Sequence, residues 1–174
     1  MNKMNTRMKT IIDYTVYSAI IVIGVVLDQI TKLLAVKFLK PIDTLPLIED
    51  VLHLSFLKNT GAAFGMLSDH RWVFMTVSTV AILALAVFLY MRKAPNIWYA
   101  ISISLIISGG IGNMIDRISL GYVVDFIDVR LIDFAVFNVA DCFVTVGAFG
   151  LIVLLIADMI KEAKKAKEER SRKE

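Results

Sequence analysis

The chain has 174 residues, 57% of them hydrophobic and 20% charged, with nine glycines, three prolines and one cysteine. A mean hydropathy of +0.71 is too apolar for a disordered chain, and this composition supports neither a collagen-like repeat nor a disulfide framework. The net charge of +3 makes no basic face for nucleic acid, because the charges collect at the ends of long apolar runs, as they do in membrane proteins.

The first apolar run covers 14–36 and carries Asp28 and Lys32 within it. Lys3, Arg7 and Lys9 precede it like the basic region of a secretory signal. The run is too long for one and has no small-x-small cleavage site before Asp28, so a retained span is expected. In the connection 37–71, Leu52, Leu54 and Phe56 alternate with His53 and Ser55, which is strand periodicity, and Pro41 and Pro46 punctuate the approach. Two runs without charge follow, 72–91 and 94–115. At about 1.5 Å per residue each is long enough for a hydrocarbon core of about 30 Å. Only Arg92 and Lys93 separate them, which predicts a helical hairpin with Pro95 in the first turn of its second helix. A second connection, 116–137, sets Asp116, Asp125, Asp128 and Asp133 among aromatic and β-branched residues. The last run, 138–157, carries Asp141 and leads into a basic tail over 159–174.

These elements predict an all-α membrane protein of one domain, with four transmembrane helices over about 14–36, 72–91, 95–115 and 138–158. A small extracytoplasmic β-structure is expected between the first two helices. Twelve lysines and arginines flank the runs on the side of the two termini, against six on the other side. By the positive-inside rule both termini are cytoplasmic. The tail reads as a solvated helix end beside anionic lipid.

Ionisable groups in or near spans are costly and need a reason. Gly24, Asp28 and Lys32 are spaced by four and share one helix face, with the acid ahead of the base as an intrahelical pair prefers. Gly109, Asn113 and Arg117 repeat the spacing on the third helix, and Asn138, Asp141 and Thr145 share a face on the fourth. All three clusters fall at the outer end, with glycines that permit close helix approach. Such groups can serve as helix glue or mark an ion path, and an acid in the first turn of a helix, as Asp141 is, can be structural. Asp125, set between Val123-Val124 and Phe126-Ile127, is harder to explain that way.

The inventory narrows the chemistry. His53 and His70 are the only histidines, and HExxH and CxxC spacings are both lacking, so no metal is expected. There is no GxSxG, no phosphate-binding or dinucleotide fingerprint, and no serine beside Lys32. Cys142 follows Asp141 and points roughly 100° away on a helix, as a small packing residue. Carboxylates remain. Two of them within hydrogen-bond reach share a proton, and such a pair can activate water while donating to a carbonyl oxygen.

Five motifs occur in order: Asp28-Gln29-Ile30-Thr31-Lys32, Asn59-Thr60-Gly61-Ala62-Ala63-Phe64-Gly65, Gly109-Gly110-Ile111-Gly112-Asn113-Met114-Ile115-Asp116-Arg117, Val124-Asp125-Phe126 and Phe137-Asn138-Val139-Ala140-Asp141. With four spans, they make the chain resemble the lipoprotein signal peptidases (signal peptidase II, aspartyl peptidase family A8) over nearly its whole length. The resemblance implies an intramembrane aspartyl endopeptidase of the bacterial cytoplasmic membrane, with its site near the outer interface. Such enzymes cut prolipoproteins on the N-terminal side of a diacylglyceryl-modified cysteine. It implies Asp125 and Asp141 as the catalytic dyad. Asp28, Lys32, Asn59, Gly61, Asn113, Arg117, Asn138 and Ala140 become substrate-binding or site-shaping residues. It implies no metal or cofactor. The implied partners are diacylglyceryl-modified prolipoprotein signal peptides, membrane lipid and globomycin-type inhibitors. A monomer is the expectation, with no partner nucleic acid.

Within that reading, Ala62 and Ala63 are expected to lie against the substrate backbone with Phe64 shielding the site. Asn138 is expected to orient Asp141 and Arg117 to hold the outer segment. The rival is a small ion-coupled transporter using the intramembrane carboxylates. The clustering of polar residues at one depth, a second helix without any, and the lack of an inverted repeat speak against it.

Overall fold

The computed structural model describes residues 3–61 and 71–172; Ala62, Ala63, Phe64 and His70 lie outside the described residues, and with them the expected substrate contact and shield. In chain order the elements are α1 (Lys3–Phe38), β1 (Thr44–Ile48), β2 (Leu52–Asn59), α2 (Arg71–Tyr90), α3 (Ile97–Ser119), β3 (Val123–Val129), a short 3-10 turn (Arg130–Ile132) and α4 (Val139–Ser171). Three helical stretches among the described residues are long and apolar enough to cross a membrane: Ile11–Phe38, Ile97–Ser119 and Val139–Ser171. A shorter apolar stretch, Met75–Tyr90, lies in α2.

Helix α3 is the centre of the bundle and packs against α1, α2 and α4. It is the most buried helix, and its small residues Ser104, Ser108, Gly109 and Gly112 permit the crowding. An added Cβ at Gly109 would overlap the Ala140 carbonyl oxygen, and one at Gly112 would overlap the Asp28 carboxylate. These two glycines are therefore what brings α3 against the start of α4 and against α1. The outward faces carry exposed Val22, Leu33, Val77, Val80, Phe149 and Ile152. That surface suits lipid, since a patch of this extent is a liability in water.

One end of the bundle is tied by polar contacts between helix ends. Asp13 pairs with Arg92 at 3.1 Å, the Tyr14 hydroxyl donates to the Tyr90 carbonyl at 2.9 Å, and the Tyr99 hydroxyl donates to Asp158 at 2.8 Å. Helix α3 opens on Asn96, whose side chain accepts from the N–H groups of Trp98 and Tyr99. Pro95 thus precedes the cap, a correction to its expected first-turn place: the asparagine satisfies the open N–H groups and the helix starts at Ile97, two residues later.

The β-structure is an antiparallel sheet in the order β1-β2-β3. Its expected confinement to the connection between the first two helices is corrected, because β3 comes from the connection between α3 and α4. The run Val123–Val129 is rich in β-branched residues and pairs with β2 across a large gap in sequence. Ala35 and Leu39 of α1 pack with Val124 and Phe126 to seat the sheet on the helices. His53 is buried on β2, in register with Asp128.

A bulge in β2 decides which residues face the same way. Leu54 pairs with Ile127, but Leu57 pairs with Asp125, so Ser55 and Phe56 together oppose Phe126. The extra residue shifts the two-residue alternation by one. Past the bulge, Leu57 and Asn59 share the face of Asp125; without it Asn59 would point to the opposite side.

Candidate active site

Two segments deliver the acids. Asp125 stands mid-strand on β3, and Asp141 stands in the first turn of α4. The residue ahead of α4 ties them together: Phe137 donates to the Ile127 carbonyl at 3.0 Å and accepts from the N–H of Ile127 at 2.8 Å. This short bridge sets the N-terminus of α4 beside β3. Asn138 then forms a capping box. Its side-chain oxygen accepts from the Asp141 N–H at 3.0 Å, while Asp141 Oδ2 accepts from the Asn138 N–H at 3.1 Å. The remaining Asn138 amide hydrogens serve other partners, Asp125 Oδ1 at 2.6 Å and Asn113 Oδ1 at 3.0 Å. Asn138 and Asp141 are thus in the expected (i, i+3) contact, and the same residue also touches Asp125.

Each acid has a second amide. Asn59 Nδ2 donates to Asp125 Oδ2 at 2.9 Å, and Asn113 Nδ2 donates to Asp141 Oδ1 at 2.8 Å. Asn59 is itself held by its turn, where its side-chain oxygen accepts from the Gly61 N–H at 3.0 Å. Both carboxylates line one cavity of about 500 Å³ with Asn59, Asn113 and Arg117. Its wall is mostly apolar, with Val123, Phe134, Val136, Phe137 and Val146. That is the usual make-up of a binding pocket, with a few convergent polar groups in an apolar cleft.

The site residues expected from sequence thus separate into two layers. Asn59, Asn113, Arg117, Asp125 and Asp141 face the cavity. Asp28, Lys32, Asn138 and Ala140 are buried behind it, and Gly61 serves the Asn59 turn. Lys32 sits within an intrahelical pair to Asp28 at 3.0 Å and donates to Asn113 Oδ1 at 2.8 Å. Arg117 does not hold the outer segment: it lines the cavity and has no ion pair among the described residues. Asp116 holds that segment instead, through the Val124 N–H.

Asp116 and Gln29 were not singled out by sequence reasoning. Gln29 Nε2 lies 3.1 Å from Asp116 Oδ1 and 3.2 Å from the Gly112 carbonyl. A signal for Asp116 existed. An acid in the last turn of a helix opposes the helix dipole, so it is retained there for a specific partner.

Asp125 is 1% exposed. Burial raises its carboxyl to about 6, and the charge of Asp141 adds to the rise, against the hydrogen bonds of Asn59 and Asn138 and the Lys32 ammonium, which lower it. Asp141 is half-buried. Two acids in different environments on one cavity can divide the roles of proton donor and base. Among the described residues no group of three His, Cys, Asp or Glu side chains comes together.

The chain is similar to known proteins in sequence and in structure. A family model described as signal peptidase (SPase) II matches residues 20–157. The chain is 41% identical over 140 residues to a lipoprotein signal peptidase of Clostridioides difficile (strain 630), covering 80% of this chain and 94% of that one. It is 45% identical over 140 residues to a lipoprotein signal peptidase of Caldanaerobacter subterraneus subsp. tengcongensis, covering 79% and 95%. A solved structure described as a bacterial membrane enzyme, determined by the in meso method at 2.3 Å resolution, superposes with a TM-score of 0.77 at 34% identity. It covers 83% of this chain and 90% of that one.

Proposed function

The chain belongs to the signal peptidase II family of aspartic peptidases, and on that footing we propose that it removes signal peptides from bacterial prolipoproteins, with Asp125 and Asp141 as its catalytic dyad. The bond cut is the one on the N-terminal side of the diacylglyceryl-modified cysteine. The observation that carries the dyad is that both acids line one cavity and are bridged by Asn138. Nothing supports the transporter alternative: the buried charges Asp28, Lys32, Asp116 and Asp125 gather at one end of the bundle and mark no path along it.

In this reading Asp125 is the proton donor and Asp141 the base. Asp141 takes a proton from water as the oxygen attacks the scissile carbonyl, and Asp125 gives its proton to the carbonyl oxygen. When the tetrahedral intermediate collapses, Asp125 recovers a proton from the oxygen and Asp141 hands its proton to the leaving nitrogen. Arg117 supplies a cation on the cavity wall for the main-chain carbonyls of the substrate. Globomycin-type inhibitors occupy the same cavity. In this reading the enzyme acts as a monomer.

The proposed setting is the bacterial cytoplasmic membrane, with α2 as a fourth span. Its twenty residues make about 30 Å of helix, and its charge-free run supports that. The basic flanks fall at the end of the bundle opposite the dyad, which supports cytoplasmic termini and a site near the outer interface.

The test is mass spectrometry of products in detergent from a precursor with and without the diacylglyceryl group. The expected product begins at the modified cysteine, and the unmodified precursor stays intact. Equal cleavage of both, or of neither, contradicts the assignment.

A further inference from the structure

The residues behind the cavity make a pattern that the dyad alone does not require. Lys32 Nζ is buried and meets three acceptors: Asn113 Oδ1 at 2.8 Å, Asp28 Oδ2 at 3.0 Å and Asp116 Oδ2 at 3.2 Å. An ammonium has three hydrogens, so its hydrogen bonding is complete within the protein. Each of its two carboxylates reaches onward to a backbone N–H. Asp28 Oδ1 accepts from Ala140 at 2.9 Å, and Asp116 Oδ2 accepts from Val124 at 3.0 Å. Ala140 immediately precedes Asp141, and Val124 immediately precedes Asp125. The two arms are therefore alike: ammonium, carboxylate, and the peptide N–H one residue ahead of a dyad acid.

We infer that Lys32, Asp28 and Asp116 form a buried frame that sets the spacing of Asp125 and Asp141 by holding the backbone just ahead of each. The inference rests on the dyad reading above and gives these three residues a positioning role. The three frame residues are 3% exposed or less, and none lines the cavity. The frame joins elements far apart in sequence: α1 supplies Asp28 and Lys32, α3 supplies Asp116, and the arms end on α4 and β3. Asn113 gives a third route, accepting from Lys32 and donating to Asp141. The Gln29 amide lies between the two carboxylates, 3.1 Å from Asp116 Oδ1 and 3.2 Å from Asp28 Oδ2, with the Gly112 carbonyl also at 3.2 Å. Geometry fixed by such a supporting layer matters because a misplacement of about 1 Å in a reacting group can cost roughly 100-fold in rate.

Removing one charge would orphan its buried partners, so the decisive variant is neutral throughout: Asp28→Asn, Lys32→Met and Asp116→Asn together. It is compared with wild type for unfolding temperature in detergent, for inhibitor binding by globomycin, and for kcat and KM on a diacylglyceryl-modified precursor. The expected result is a folded protein that binds globomycin, with kcat down by about 10- to 100-fold and KM changed less than about two-fold. A wild-type kcat, or a raised KM at unchanged kcat, overturns the frame. Should the triple variant not fold, Gln29→Met decides: it leaves all three charges in place, a several-fold fall in kcat at constant KM supports the frame, and wild-type kcat overturns it. Asp125→Asn and Asp141→Asn run alongside. If either keeps full turnover the dyad reading fails, whereas loss in both with an unaffected triple variant fails the frame alone.

Discussion

Asn138 donates its side-chain amide to Asp125 Oδ1 at 2.6 Å, across thirteen positions of chain. The same side chain caps α4 through its oxygen, so helix start and site geometry rest on one residue. Replacement by alanine removes both functions and by serine only the second. We expect Asn138→Ala to cost about 1 kcal/mol through the lost cap and to lower kcat by about 100-fold. Asn138→Ser should recover most of the stability and little of the rate. Unfolding temperature and kcat measured on the three proteins separate the two functions; parallel recovery of both would show that Asn138 acts through the cap alone.

The titration of Asp125 predicts a pH dependence of definite sign. As proton donor it works when protonated, so kcat/KM should fall as pH rises through about 6. Stability follows the same direction. The folded protein holds this proton more tightly than the unfolded chain, so the contribution is full below the unfolded carboxyl range and is lost as pH rises through about 6. Asp125→Asn should lack this component of the pH–stability curve. A wild-type curve and an Asp125→Asn curve of the same shape would contradict the assignment.

Gly109 and Gly110 are neighbours with different surroundings. A Cβ at Gly109 meets the Ala140 backbone, whereas one at Gly110 meets only the outer carbons of the Ile82 side chain. Alanine gains about 1 kcal/mol of helix propensity at either place, but backbone overlap costs about 1–3 kcal/mol and moves the start of α4. Gly110→Ala should be neutral or stabilising with normal turnover. Gly109→Ala should lower both unfolding temperature and kcat.

Arg117 lines the cavity and has no ion pair among the described residues. Its loss therefore removes a substrate contact more than a structural one. Arg117→Gln should change stability by less than about 0.5 kcal/mol and raise KM for the precursor. An unchanged KM with a lower unfolding temperature would mean a structural role.

Much of this was legible because a membrane penalises charge. Asp28, Lys32 and Asp141 stand out inside apolar runs, and their spacing by helical turns already placed them on shared faces. Asp125 stood out for its apolar neighbours. What stayed hidden depends on pairing over distance. Asn59 and Asp125 are 66 positions apart, and their common face exists only because of a bulge opposite Phe126. No local periodicity records that bulge, since Leu52, Leu54 and Phe56 alternate straight through it. The division between Arg117 and Asp116 was hidden for a related reason. Both are ionisable residues at the end of α3, and only the position of β3 decides that Asp116 reaches the Val124 N–H while Arg117 turns to the cavity.

The central claim is that Asp125 and Asp141 together perform the cleavage. The most direct measurement is single-turnover hydrolysis of a diacylglyceryl-modified precursor by Asp125→Asn and by Asp141→Asn, each first shown to be folded and to bind globomycin. Both rates should fall by about 1,000-fold or more, to similar residual values, because the acids act as one unit. Full turnover by either folded variant would contradict the dyad.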